Sequence, residues 1–129
     1  MAASDIPGPA GWAGPHAAER YLRALKLLEA VEGWARGNGL GDASTRAVWA
    51  VIARADLEGE VLTQAGLIQK SGVTRYLVHQ AIRRAQSHGL LETEPYAKNR
   101  SHTRICLTED GRRYLIASLN DFIRLTASV

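Results

Sequence analysis

Apolar residues recur at helical spacing from Pro15 to Arg36 and again from Leu115 to Ile123, and between these stretches the period shortens and then alternates. Pro15 suits a first helical turn and Gly37 a stop, which predicts a helix over 15–36. Its apolar positions are Tyr21, Leu22, Leu25, Leu27, Leu28, Val31 and Trp34, and they spread over more than half of the circumference. A surface helix needs an apolar stripe of only about 100°. Leu27 and Trp34 lie across the axis from Leu22, so a single neighbour does not cover both sides. A dimer interface supplies the second cover; an unusually enclosed place within a monomer is the alternative.

Asp42 is placed to cap a second helix that runs to about Ala55 with Val48, Trp49, Val51 and Ile52 as its apolar residues, and Gly59 marks a turn. Thr63 caps a short helix, Gln64 to Lys70, which Ser71, Gly72 and Val73 break. Thr74 caps a longer helix over 75–88, and Gly89 ends it. A short helix, a glycine turn and a longer helix make a helix-turn-helix. Leu90 to Glu94 is a candidate strand, Pro95 to Ser101 a polar turn, and His102 to Leu107 a second strand. That strand sets Thr103, Ile105 and Leu107 on one face, Arg104 and Cys106 on the other. A hairpin directly after a helix-turn-helix is a wing. Thr108 then caps a last helix over 108–126, with Leu115, Ile116, Leu119, Phe122 and Ile123 as its apolar stripe. The expected fold is therefore mainly α with a small two-stranded β wing, a winged helix-turn-helix flanked by N- and C-terminal helices. Residues 1–14, rich in Ala, Gly and Pro, read as a flexible tail that carries Trp12, and 15–129 as a single domain.

Composition narrows the setting. The 129 residues are 46% hydrophobic and 22% charged, an ordinary globular balance that supports a core without metals or disulfides. Cys106 is the only cysteine, so no internal disulfide forms and a reducing compartment suits the chain. No stretch reaches the roughly 18 apolar residues of a membrane span, and the first residues lack the pattern of a secretory signal. A cytoplasmic protein without a membrane partner is expected. The net charge of +3 is unevenly spread. From Lys70 to Arg104 there are seven basic residues against two acidic, a net +5, and the rest of the chain has nine against eleven. Such a concentration is what a phosphate-binding face requires, and a solvated basic face has the same composition.

The helix over 75–88 carries the candidate chemistry. Val78, Ala81, Ile82 and Ala85 fall on one face, for the core. The opposite face has Tyr76, His79, Gln80, Arg83 and Ser87, with Arg75 and Arg84 at its flanks. In the major groove, arginine pairs bidentately with guanine and glutamine with adenine. Arg75, Tyr76, His79, Gln80 and Arg83 are thus candidates for base contacts in double-stranded DNA. Thr74, at the helix N-terminus, and Arg84 are candidates for the DNA backbone. Lys98 and Arg100 at the hairpin tip suit a minor groove or the backbone, and Lys70 and Arg104 suit phosphates.

No enzyme is expected. His16, His79, His88 and His102 show no metal-ligand spacing with Cys106 or with carboxylates, and phosphate-binding glycine loops and nucleophile elbows are missing. No cofactor or metal is implied. Glu92 and Glu94 share one side of a strand with no base or nucleophile beside them and read as solvated. Cys106 reads as a small packing residue, with a redox sensor as the alternative.

The ordered run from Leu62-Thr63 through Gly66 to Arg75, then Ala81-Ile82-Arg83-Arg84-Ala85 and His88-Gly89-Leu90-Leu91, resembles the winged helix-turn-helix of MarR-type transcriptional regulators. Asn99-Arg100 and Leu107-Thr108-Glu109-Asp110-Gly111-Arg112 add to the likeness. The resemblance implies a homodimer built from the first and last helices, a recognition helix at 75–88 in the major groove, and a wing-tip arginine at Arg100. Two features depart from the pattern. Asn99 stands where the family has an acidic residue, and the chain has length for one helix after the wing where the family has two. The function these features favour is a homodimeric, sequence-specific DNA-binding regulator, a repressor acting on an inverted repeat. A plasmid or phage replication or segregation protein, and a winged helix that binds protein, fit the same features. A small-molecule effector stays open.

Overall fold

The computed structural model describes residues 14–95 and 102–128. Its elements in chain order are α1 (Pro15–Gly37), α2 (Ala43–Glu58), β1 (Leu62–Thr63), α3 (Gln64–Ser71), α4 (Arg75–Ser87), β2 (Leu91–Pro95), β3 (Thr103–Leu107) and α5 (Glu109–Ala127). Four of the five helices start where a short polar side chain satisfies an otherwise orphaned backbone N–H. Asp42 accepts from Thr45 N at 3.0 Å, Thr63 Oγ1 from Gly66 N at 3.1 Å, Thr74 Oγ1 from Leu77 N at 3.4 Å and Thr108 Oγ1 from Gly111 N at 3.0 Å. Gly72, with φ 67°, turns the chain between α3 and α4 in the left-handed region that a side chain would strain.

The core lies where α2, α3 and α4 meet the inner face of the sheet. Val48, Leu67 and Val78 are fully buried there, among Ile52, Ile82, Leu62, Leu91 and Ile105. The sheet differs from the expected hairpin. It has three antiparallel strands in the order β1-β3-β2, because Leu62 and Thr63 pair with Ile105 and Arg104 before the chain enters α3. Two residues are too short to show an alternating pattern, and only the return of β3 alongside them reveals the strand. β2 is thus an edge strand, which tolerates Pro95 as its last residue. α2 runs a turn beyond Ala55, to a left-handed Gly59.

The Leu107–Arg112 segment locks the wing to the helices. Thr108 donates to Gly89 O at 2.6 Å while capping α5. Gly111 packs against the Leu90 carbonyl so closely that a Cβ would run into that oxygen. Arg112 then holds Asp56 of α2 in a two-pronged ion pair of 3.0 and 2.8 Å.

α1 and α5 pack together outside this core. Trp34 Nε1 donates to Ser118 O at 2.8 Å, its ring meets Phe122 edge-on at 4.8 Å, and Tyr114 donates its hydroxyl to Asn38 O at 2.6 Å. α5 covers only the Trp34 side of α1. Leu22, Leu25 and Leu28, across the axis, remain 58, 49 and 60% exposed. On α5, Ile116 and Ile123 remain 53 and 61% exposed. One helix, α5, follows the wing among the described residues. Among the described residues no helix is long and apolar enough to cross a membrane.

Candidate nucleic-acid interface

α4 is anchored through Val78, Ala81, Ile82 and Ala85, all buried. That burial forces the opposite arc outward, since the residues recur at 100° per position. Tyr76 (68% exposed), Gln80 and Arg83 form this outer arc, with Arg75 and Thr74 exposed at its N-terminal end. Tyr76 and Gln80, one turn apart, are joined by a 2.9 Å hydrogen bond in which Gln80 Nε2 donates to the tyrosine hydroxyl. His79 is half-buried on the flank. Arg75 and Arg83 have no ion-pair partner among the described residues. Unpaired guanidinium groups on a helix face that the core does not use are free to meet phosphates and base edges.

The other expected positions fall elsewhere. Arg84 turns away from Tyr76 and Gln80 toward a cleft of about 290 Å³ between α4 and the loop joining α1 to α2. There it faces Asp42, Trp49, His88 and Tyr114, and its charge helps to depress the Asp42 carboxyl, which is held down first by the capping hydrogen bonds from Thr45. Lys70 reaches back to Glu60 at 3.5 Å. Arg104 pairs with Glu94 across the hairpin at 3.2 Å. Glu94 is therefore not simply solvated, as the strand pattern had suggested: it also accepts from Cys106 Sγ at 3.6 Å. Burial pushes the Cys106 thiol up, only partly offset by Arg104, so the thiolate is disfavoured. Lys98, Asn99, Arg100 and Trp12 lie outside the described residues.

Two features escaped the sequence reading. The cross-strand partnership of Glu94 and Arg104 follows from the hairpin register, which sets the two directly opposite; counting outward from the centre of the polar turn, residue 98, would have set Glu94 opposite His102 instead. Leu77 is 37% exposed beside Tyr76, and its place on the helical wheel, away from the Val78–Ile82 arc, is the signal. An apolar side chain there is of the type that meets a thymine methyl.

A capped helix-turn-helix with an outward polar arc, followed by a wing and flanked by two long helices, defines a winged-helix fold. No protein-family model matches the sequence, and no curated protein matches it. Solved structures do match. A variant of S. aureus MepR bound to an oligodeoxyribonucleotide superposes with TM-score 0.72 at 13% identity, over 89% of this chain and 81% of that one. Bordetella bronchiseptica BpsR, whose DNA binding is regulated by 6-hydroxynicotinic acid, gives TM-score 0.61 at 16% identity, over 94% and 83%. A transcriptional regulator from Thermotoga maritima gives TM-score 0.61 at 19% identity, over 88% and 78%. At these identities the likeness is one of fold: the chain has the winged-helix fold of MarR-type transcriptional regulators.

Proposed function

We infer that this protein is a sequence-specific double-stranded DNA-binding regulator that works as a homodimer and acts as a repressor on an inverted repeat, and that it is not an enzyme. The observation that carries the reading is the outer arc of α4. Tyr76, Gln80 and Arg83 contribute nothing to the core, carry groups that read base edges, and stand between an N-terminus suited to phosphate and the wing. The DNA-bound state of the similar MepR structure supports it. The dimer reading is supported by the leucines of α1 and the isoleucines of α5 that stay exposed in the single chain. Two such copies related by a two-fold axis set two recognition helices in successive major grooves, which calls for an inverted repeat.

The test is selection of random and genomic duplexes on the full chain at about 150 mM salt, where non-specific phosphate binding is weakened. Enrichment of one inverted repeat beside a promoter is the expected result. Clustered direct repeats point instead to a replication or segregation protein. Loss of all binding without sequence preference leaves a winged helix that binds protein and overturns the reading.

A further inference from the structure

We propose that Tyr76 and Gln80 act as one unit, a preset adenine reader in which the tyrosine orients the glutamine amide and the glutamine sets the base preference. The inference rests on the DNA-binding reading above and goes further, to the identity of one base pair in the half-site.

The geometry begins with helix periodicity. Tyr76 is the second residue of α4 and Gln80 lies one turn later on the same outer arc. Long helical side chains lean back toward the N-terminus, which brings the Gln80 amide to the Tyr76 hydroxyl. Nε2 donates to that hydroxyl at 2.9 Å. A primary amide has two N–H groups and one carbonyl oxygen. When the N–H anti to Oε1 is the one used on Tyr76, the syn N–H and Oε1 remain side by side as a donor–acceptor fork. Oε1 has no partner among the described residues.

That fork matches one base. Adenine offers N7 as acceptor next to the N6 amino donor in the major groove, so Oε1 accepts from N6 and the free N–H donates to N7. Guanine presents two acceptors, O6 and N7, and meets Oε1 with repulsion. Thymine presents O4 and a methyl group, and cytosine a lone amino donor.

An unheld glutamine rotates its amide and interchanges the two roles, which blurs the preference. A hydroxyl alone also accommodates either orientation, because it both donates and accepts. The position of Tyr76 resolves this. It is exposed in the first turn of α4, beside the backbone N–H groups that suit a phosphate. When its hydroxyl proton goes to a phosphate oxygen, the tyrosine oxygen can only accept, and Gln80 must turn its amino group to it and Oε1 to the groove.

The experiment compares the full wild-type chain with Gln80→Ala and Tyr76→Phe. Each is measured against the selected site and against sites carrying every base at each half-site position, with an unrelated duplex as control. Both side chains are outside the core, and the thermal unfolding of each variant checks folding. Wild type is expected to require adenine at one position per half-site, with a preference of about five- to 150-fold. Gln80→Ala flattens that position and leaves the others. Tyr76→Phe reduces the adenine preference about two- to tenfold, on top of a sequence-independent loss, from its missing phosphate hydrogen bond, that falls equally on the selected site and the unrelated duplex. A site whose preferences are the same for wild type and Gln80→Ala overturns the proposal while the DNA-binding reading stands. A preference lost in Gln80→Ala but intact in Tyr76→Phe overturns the orienting role of the tyrosine. If wild type selects no sequence, the proposal and the reading beneath it both fall.

Discussion

Arg83 and Arg84 are neighbours in the chain and face different surroundings. A step of 100° leaves Arg83 on the outer arc of α4 and carries Arg84 to the cleft beside Asp42. Arg83→Ala should weaken binding to the selected site by about 1–3 kcal/mol and relax preference at one position. Arg84→Ala should cost less than half as much in the same titration, with no change in base preference. Equal losses from the two would mean that the arc is only a charged surface. A second residue-scale consequence concerns Asp56. Its carboxyl is held below the ordinary value first by the hydrogen bonds from Arg112, against a smaller opposing effect of burial. A carboxyl depressed in the folded state contributes stability above its unfolded pKa, near 3.9, and loses that contribution as pH falls toward the folded value. The pair is partly exposed, so its worth at neutral pH is about 1 kcal/mol or less. Urea unfolding of wild type and Asp56→Asn should therefore differ at pH 7 and converge below about pH 4.

At the scale of elements, the Leu107–Arg112 segment is a joint between the wing and the helices. Its resemblance to a regulator signature is explained by packing: Thr108 ties the Gly89 carbonyl to the start of α5, and Gly111 lets α5 approach the Leu90 backbone. Gly111→Ala should lower stability by about 1–3 kcal/mol through overpacking, visible as a drop of several degrees in Tm. Thr108→Ala should cost about 1 kcal/mol and Thr108→Ser much less, since serine retains the hydroxyl that both caps and donates. An unchanged Tm in Gly111→Ala would show that the wing does not need this close approach. The helices themselves were legible because each start carries its own local signal. Asp42, Thr63, Thr74 and Thr108 act within three residues, and no distant neighbour is required. β1 was not legible, since Leu62 and Thr63 become a strand only through β3.

At the scale of the whole molecule, the first helix poses the question that its own sequence raised. Its apolar residues face two ways, and α5 answers for only one of them. Replacing Leu25 and Leu28 together by glutamate should leave the monomer fold intact, because both are about half exposed. It should halve the mass measured by sedimentation and reduce affinity for a full inverted repeat to near that for a single half-site. A wild-type chain that sediments as a monomer at micromolar concentration would remove the dimer from the proposed function. The charge pattern also changes meaning at this scale. The excess of basic residues between Lys70 and Arg104 fits a phosphate-binding face or a solvated one, and within it Lys70 is paired with Glu60 and Arg104 with Glu94. Among the described residues of the recognition region, the unpaired guanidinium groups concentrate on α4.

Helix starts, caps, the glycine turn and the inner face of α4 were determined by the sequence itself, because each depends on residues within a turn or two and on the fixed period of a helix. What only the tertiary structure decided are the relations between distant segments. These are the third strand formed by Leu62 and Thr63, the carboxylate partners of Lys70 and Arg104, the cleft residues that Arg84 faces, and the side of α1 that α5 leaves uncovered. Each of these depends on where a residue far along the chain comes to rest, which local spacing does not encode.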